Sequence, residues 1–230
     1  MAEIPGRRLL PLIRRGKTIL RAWMELRLGT TQVDGLTVDL GSGGSSNFEL
    51  MRRGTDARVL KVDLWPEAGP DLVANLESPL PLASASVDGV MLLNVLEHMY
   101  GYEQVLCEIG RVLRPGGLLV MSTPFLFPVH TAWRDDLFTD DYFRWTGSAL
   151  RRLLIGPARF SGPIRISACD LGPFAAAASL TTPELRWGLL RMSVAGFAFV
   201  LDGVLRRLRE GRDGMSRSEW VVGYYVEATK

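Results

Sequence analysis

Short apolar runs that resemble β-strands alternate with helical patterns from Leu36 onward, and this alternation constrains the fold more than any other feature of the chain. Strands separated by helices are joined by crossover connections, which place them parallel in one sheet. We therefore predict an α/β fold with a doubly wound, mostly parallel seven-stranded sheet. The predicted strands cover residues 36–41, 57–64, 71–76, 86–94, 118–123, 164–168 and 220–229.

Two basic helical regions accompany this pattern. Residues 7–28 place apolar side chains at helical spacing among arginines and lysines, which predicts a basic amphipathic helix. The expected organisation is an N-terminal helical region over 1–35 and an α/β domain over 36–230, with a substrate loop at 124–147 and a helical insertion at 182–210. Shorter helices are predicted at 47–53, 101–113 and 148–154.

The helical insertion is the most apolar part of the chain, but charged residues interrupt it at Arg186, Arg191 and Asp202. Its uncharged part is shorter than the ~20 residues that a membrane span needs, so we expect a buried or surface-lying helix. The two basic regions favour a substrate lid and a homodimer contact over a peripheral contact with an anionic membrane, which stays open as the alternative.

Composition limits the partners and the compartment. The chain has 230 residues, 47% of them hydrophobic, and a formal net charge of +2. Nearly balanced charge gives no global field for a polyanion, so nucleic acid is not expected as a partner. Two cysteines are too few for a disulfide framework, and Arg14 and Arg15 interrupt any signal-like apolar run. We expect a cytoplasmic protein.

A strand that ends in glycines carries the first chemical signal. Asp39, Gly41 and Gly43 lie where strand 36–41 meets the next segment, and glycine there lets backbone amides approach a ligand closely. About twenty residues later Asp63 ends the second strand, where a carboxylate can accept hydrogen bonds from both ribose hydroxyls. A turn containing Asn75 and the run Asn94–His98 follow in order.

This ordered series resembles the class I S-adenosylmethionine-dependent methyltransferases, in particular the methyltransferase-11-like group, over residues 36–125. The resemblance implies a Rossmann-like fold and S-adenosylmethionine as the cofactor. It also implies that the acidic-glycine motif and Asn94 contact the methionine side of the cofactor and that Asp63 holds the ribose. The residues implied as cofactor-binding are Asp39, Gly41, Gly43, Asp63, Asn75, Leu76 and Asn94, with the adenine between Asn75 and Leu76.

The acceptor side is expected just after the fifth strand, where the carboxyl edge of an open sheet binds ligands. His130 is the candidate general base, because its ordinary pKa lies near working pH, and a loop-fixing role is weighed equally. For His98 we favour a structural role. The stretches 124–130 and 140–146 resemble a subset of these enzymes associated with saccharide modification.

Further side chains in the same loop have two readings each. Asp141 and Arg144 could order the loop or bind polar substrate groups, and a solvated pair is as good an interpretation. Asp135, Asp136, Asp140 and Asp141 lack a recognised metal-binding pattern, so a solvated acidic face and no metal site are expected. The loop aromatics could stack on a sugar or close a lid over the core. They are Trp133, Phe138, Tyr142, Phe143 and Trp145.

The sequence thus predicts an S-adenosylmethionine-dependent methyltransferase that methylates oxygen, rather than nitrogen, of a small-molecule or glycan-like acceptor. A nicotinamide dehydrogenase uses a similar glycine loop, but the run after the fourth strand and the single-domain length fit methyl transfer better. The alternative from another class is a non-catalytic cofactor-binding or scaffold protein of a biosynthetic complex at the membrane surface.

Overall fold

A computed structural model describes residues 4–44, 46–130, 132–134, 137–182, 185, 187–213 and 220–230. The strands are β1 (Gln32–Val33), β2 (Leu36–Leu40), β3 (Arg52–Arg53), β4 (Arg58–Asp63), β5 (Leu72–Val73), β6 (Val87–Leu93), β7 (Leu113–Pro124), β8 (Ala132–Arg134), β9 (Leu137–Thr139), β10 (Ile164–Asp170) and β11 (Val221–Thr229). The helices are α1 (Leu10–Arg14), α2 (Ile19–Leu28), α3 (Tyr102–Val112), α4 (Gly147–Ile155), α5 (Pro173–Thr181) and α6 (Gly188–Asp213).

Seven of the strands form one sheet, in the order β10-β11-β7-β6-β2-β4-β5. Strand β2 lies in its middle and pairs parallel with β4 and β6, so that Val38 lies between Leu60 and Val90. Strands β5 and β7 extend the parallel part on either side. Because these five strands share one direction, their carboxyl ends meet at one edge of the sheet.

Strand β11 runs against this direction. The amide of Lys230 donates to the carbonyl of Gly117 and the amide of Phe125 donates to the carbonyl of Val222, so residue numbers rise along β7 as they fall along β11. The sheet is therefore mostly parallel with an antiparallel penultimate strand. The predicted doubly wound, mostly parallel seven-stranded fold is confirmed.

Helix α3 illustrates why the local sequence folds as it does. Val105, Leu106, Ile109 and Val112 recur at helical spacing, and all four are buried. The next residues turn directly into β7, which begins at Leu113, five residues earlier than the predicted strand. Pairing of β7 with β6 shifts between Val87 and Gly89, so the residues between Leu113 and Leu118, including Gly116 with a φ of 77°, interrupt the regular ladder.

The predicted helix over 47–53 is wrong. A 3-10 turn covers Phe48–Leu50, and Met51 then becomes extended and leads into β3, which pairs with β1. The amide of Arg52 donates to Thr31 and that of Gly54 to Val33, so strand pairing satisfies the backbone groups that a helix would have used. A single turn has no helix dipole that could attract an anionic ligand behind the glycine loop. Among the described residues, the backbone amides of the loop itself are left to bind a ligand there.

The N-terminal region also differs from the single helix predicted over 7–28. It forms a 3-10 turn at Gly6–Arg8, then α1 and α2, with a break at Gly16. Gly16 has a φ of 93°, a conformation that glycine adopts without the penalty other residues incur. The basic character of the segment is therefore divided between two short helices.

The chain forms two compact units, which we name by their content. The sheet unit comprises residues 27–123, 129–167 and 225–230, and the helical unit comprises the described parts of 1–26, 124–128 and 168–224. In the helical unit α6 packs against α1 and α5. The buried carboxylate of Asp202 on α6 accepts hydrogen bonds from the amides of Phe174 and Ala175, which open α5. The sequence analysis did not separate α5 from α6.

Candidate cofactor and acceptor site

The glycine loop after β2 has the backbone that the sequence predicts. Gly41 and Gly43 have φ values of 72° and 59°, in the left-handed region that favours glycine. A Cβ built on Gly41 would lie 2.5 Å from a methyl carbon of Val95, so this position is closed by packing. A Cβ on Gly43 or Gly44 would meet no described atom within 4 Å, which leaves the outer part of the loop open to a ligand.

Asp63 at the end of β4 faces this loop. One carboxylate oxygen accepts the amide of Gly43 at 2.8 Å, and the other accepts the amide of Trp65 at 3.0 Å. A carboxylate has about four lone-pair sites, so these two bonds fix its orientation and still leave capacity for two hydroxyl donors. The side chains present therefore fit the ribose of an adenosine-containing cofactor.

Asp39 lies beneath the same loop and is almost fully buried. Its carboxylate accepts the hydroxyl of Ser46 at 2.6 Å. Burial raises the pKa of Asp39, the hydrogen bond from Ser46 opposes the rise, and the nearby Asp63 adds to it. A cationic group bound beside Asp39 would stabilise the charged form of this carboxylate.

Asn94 directly follows β6 and has a φ of 54°, which asparagine tolerates better than most residues. Its amide donates to the carbonyl of Ser122, and its side-chain oxygen accepts the hydroxyl of Ser122 at 2.9 Å. Asn75 is exposed and its side-chain oxygen accepts the amide of Glu77, while Leu76 is buried. The adenine role of these last two residues stays a prediction.

Residues Asn94–His98, which we call the linking segment, contact both halves of the site. Val95 packs on Gly41 of the glycine loop. The carbonyl of Glu97 accepts the amide of Tyr142 at 2.8 Å, and Nδ1 of His98 lies 2.7 Å from the carbonyl oxygen of Asp140. The loop expected to face the acceptor is thereby held beside the loop expected to hold the cofactor.

Three side chains at this place form a group that we call the His–Glu cluster: Glu97, His98 and His130. The two imidazole rings meet edge to face, with centroids 4.8 Å apart. One ligating atom from each of the three residues lies within 4.8 Å of the others. The sequence analysis assigned no role to Glu97, although an acid inside the apolar run Val95–Leu96 is a signal that could have marked it.

The cluster members differ in their surroundings. Burial raises the pKa of Glu97 to about 8, and the charge of Asp141 adds to the rise. Burial lowers the pKa of His98, although its bond to the Asp140 carbonyl opposes the change. The side chain of His130 is 42% exposed, so it is the member that an acceptor molecule can reach most readily.

Asp141 orients His130. Its carboxylate lies 3.2 Å from Nδ1 of His130 and accepts the backbone amide of the same residue at 3.0 Å. Arg144 pairs with both carboxylate oxygens of Asp141. Burial acts to raise the pKa of Asp141, but the hydrogen bonds from Arg144 and His130 outweigh it and the pKa is lowered.

Of the three interpretations of this pair, the structure excludes the solvated pair and supports a loop-ordering contact. The side chain of Asp141 has no solvent exposure, so Asp141 and Arg144 are not a solvated pair, and Asp141 does not belong to a solvated acidic face. The predicted acidic residues Asp135 and Asp136 lie outside the described residues, as do the side chains of Trp133 and Phe138.

The remaining aromatic residues pack on one another next to the linking segment. Phe143 stacks on Trp145 at 4.8 Å, and Tyr102 meets both rings edge to face. Tyr100 contacts Tyr142 and is 72% exposed. The group therefore has a packed interior and an exposed tyrosine surface.

The methyltransferase domain family matches this chain over residues 38–121, the span that contains the glycine loop, Asp63 and the linking segment. A probable S-adenosylmethionine-dependent methyltransferase of Mycolicibacterium smegmatis is 51% identical over 45 residues. That match covers 20% of this chain and 18% of the relative, so the matching segment of the chain spans about a fifth of the length of the curated relative.

Solved structures extend the likeness in fold to most of the chain. An S-adenosylmethionine-dependent methyltransferase from Mesorhizobium loti gives a TM-score of 0.53 at 19% identity and covers 90% of this chain and 97% of its own. Phosphoethanolamine N-methyltransferase 2 of Haemonchus contortus, in complex with S-adenosylmethionine, gives 0.52 at 14% identity, over 90% of this chain and 51% of its own.

These comparisons agree with the predicted resemblance. Residues 38–121 match the methyltransferase domain family, and the fold is similar to that of solved S-adenosylmethionine-dependent methyltransferases.

The packing of Val95 on Gly41 predicts different costs for two similar substitutions. Gly43→Ala should lower the free energy of unfolding by about 1 kcal/mol, because only the left-handed backbone is penalised. Gly41→Ala should cost a further ~1–3 kcal/mol from the clash with Val95. Urea unfolding measures both, with Gly44→Ala as the neutral control. Equal losses at Gly41 and Gly43 would contradict the contact.

Proposed function

We propose that this chain transfers a methyl group from S-adenosylmethionine to an oxygen of a small-molecule or glycan-like acceptor. The observation that carries the proposal is the linking segment, which contacts the glycine loop through Val95 and the acceptor-side loop through Glu97 and His98. Methyl transfer needs a cofactor and a nucleophile aligned at close range. One rigid segment that holds both loops supports that alignment.

When bound, S-adenosylmethionine supplies an electrophilic methyl group, which an acceptor oxygen takes as it gives up its proton, leaving S-adenosylhomocysteine. The chain's own contribution on this side is binding. Asp63, oriented by two backbone amides, would accept the ribose hydroxyls. The open amides of Gly43 and Gly44 and the carboxylate of Asp39 would line the rest of the cofactor.

His130 is the residue that we propose to receive the acceptor's proton. The carboxylate of Asp141 faces Nδ1, which favours a proton on Nδ1 and a lone pair on Nε2. A histidine ring fixed by a buried carboxylate is the arrangement that general bases use. Oxygen is favoured over nitrogen as the nucleophile because a hydroxyl needs such a base most.

The exposed tyrosines support a glycan-like acceptor. Tyr100 and Tyr142 contact each other and present aromatic surface beside the linking segment. The apolar face of a pyranose ring stacks on such surfaces, and its hydroxyls would then lie near the His–Glu cluster. The packing of Phe143 and Trp145 behind them keeps this surface in place.

The apolar surface of α6 bears on where in the cell the protein acts. Within the described residues, one helix is long and apolar enough to cross a membrane, Gly188–Arg207 in α6, and 17% of its apolar window is buried. Five of its large apolar side chains are exposed. Leu189, Leu190, Phe197, Val200 and Val204 are all exposed and recur at helical spacing, and we call them the α6 stripe.

We propose that the α6 stripe lies on an anionic membrane surface, with the opposite face of the helix packed on protein. The burial of Asp202 against the start of α5 commits that opposite face. Exposed arginines flank the stripe at both ends. Arg14 lies at one end, where its backbone contacts Gly188, and Arg206 and Arg207 lie near the other end. Apolar surface bordered by cations is typical of interfacial helices.

The alternative function, a cofactor-binding scaffold without catalysis, shares the same fold and the same surface. The orientation of His130 by a buried Asp141 argues against it, because a scaffold has no use for a polarised imidazole beside the cofactor loop. Cofactor binding without transfer to any member of a broad acceptor panel would favour the scaffold.

The cofactor assignment is tested by calorimetric titration with S-adenosylmethionine, S-adenosylhomocysteine and NAD. The first two should bind and NAD should not. Asp63→Ala should weaken S-adenosylmethionine about 10–100-fold, because charge-assisted hydrogen bonds to the ribose are lost. Asp56→Ala, which changes an exposed acid at the opposite end of β4, serves as the control. Unchanged affinity in Asp63→Ala would remove the ribose role.

The role of His130 is tested by His130→Gln. Turnover should fall about 10²–10⁴-fold, because proton removal from the acceptor loses its base, while affinity for S-adenosylmethionine stays the same. Asp141→Asn should give a smaller loss through a misoriented ring. Normal turnover in His130→Gln would exclude it as the base.

The membrane proposal is tested by co-sedimentation with phosphatidylglycerol-containing and purely phosphatidylcholine vesicles. The protein should partition to the anionic vesicles, and the double change Phe197→Ser and Val200→Ser should reduce partitioning about tenfold or more. Phe174→Ser, an exposed aromatic on α5 outside the stripe, should have little effect. A stable dimer in sedimentation velocity that shows no vesicle binding would assign the stripe to a second copy instead.

A further inference from the structure

Glu97 is unusual among the acidic residues of this chain. Its side chain has no solvent exposure, and within the described residues neither carboxylate oxygen makes a hydrogen bond of normal geometry. Burying such a group without partners costs free energy, so a fold that retains it has a use for it or a ligand for it. One ring nitrogen of His98 and one of His130 lie within 4.8 Å of a carboxylate oxygen of Glu97.

Both imidazoles are arranged as metal-ligating histidines commonly are. Nδ1 of His98 faces a backbone carbonyl, and Nδ1 of His130 faces the carboxylate of Asp141. An oxygen acceptor at one ring nitrogen fixes the tautomer and directs the lone pair of the other nitrogen toward a metal. The chain contains two histidines in all, and both belong to this cluster.

We propose that Glu97, His98 and His130 form a binding site for one divalent transition-metal ion, with zinc as the preferred ion. Two imidazoles and one carboxylate suit zinc better than magnesium, which prefers oxygen ligands and water. Three protein ligands leave a coordination position open, as in zinc sites that act on a substrate.

The spacing of the ligand atoms sets a requirement for movement. One ring nitrogen of each histidine and one carboxylate oxygen of Glu97 lie within 4.8 Å of one another, whereas two ligands of a tetrahedral zinc ion are about 3.4 Å apart. Binding therefore draws the most distant ligand atoms together by about 1.4 Å. His130, whose side chain is 42% exposed, has the most room to shift toward the other two residues, and its contact with Asp141 would adjust with it.

The site itself rests on this cluster alone, and its part in catalysis rests on the proposed methyl transfer. An acceptor hydroxyl at the open position would lose its proton to solvent more easily, because the cation stabilises the alkoxide. The lone pair of His130 would then bind the metal instead of receiving that proton. His98 would become as important for turnover as His130, which separates this role from simple base catalysis.

The test is calorimetric titration of the tag-free full chain with zinc chloride and, separately, magnesium chloride. One zinc per chain should bind and magnesium should not. Glu97→Gln and His98→Gln should each weaken zinc at least about 100-fold, and Glu103→Gln, an exposed acid on α3, should not. S-adenosylmethionine affinity measured on each variant reports whether it is folded.

Cobalt(II) added to the unmodified protein gives a second measurement that needs no variant. Intense visible absorption, abolished by zinc, would support a site of low coordination number with nitrogen ligands. Absence of zinc binding by the wild-type chain, or unchanged zinc affinity in Glu97→Gln, overturns the proposal. Methyl transfer without zinc binding would leave the proposed function intact, whereas zinc binding without transfer to any acceptor would leave only the site.

Discussion

The contact of Val95 with Gly41 is the constraint on which the arrangement of the site depends. It presses the linking segment onto the glycine loop at a position where no side chain larger than hydrogen fits. The next residues of the same segment hold Asp140 and Tyr142 through backbone and ring hydrogen bonds. Cofactor side and acceptor side are thereby fixed to each other through five consecutive residues rather than through distant parts of the chain.

Much of the sheet could be predicted because each of these strands is specified by its own local sequence. The apolar runs at β2, β4, β6 and β11 are long and bounded by turn residues, and the order of glycine, Asp63 and Asn94 lies within the span that matches the methyltransferase domain family. The helix predicted over 47–53 was wrong because pairing of β3 with β1 depends on Gln32 and Val33, which lie about twenty residues away. A pattern confined to one window carries no such information.

The residues of the acceptor side could be predicted from the sequence, but the contacts between them could not. His130, Asp141 and Arg144 were selected from the sequence, but the burial of Asp141 and its bond to Nδ1 of His130 arise only when the loop returns on itself. Glu97 was passed over because its burial, which makes it chemically distinctive, is a property of packing. The apolar content of α6 was evident, whereas the outward direction of its apolar side chains was not.

The glycine loop and the His–Glu cluster are neighbours joined by the linking segment. Nitrogen-detected NMR of the two ¹⁵N-labelled histidine rings tests it most directly, with His98→Gln and His130→Gln to assign the signals. Titration with S-adenosylhomocysteine should shift both rings while Nδ1 of His130 stays protonated beside Asp141. Saturating cofactor that leaves both histidine signals unmoved would contradict the claim.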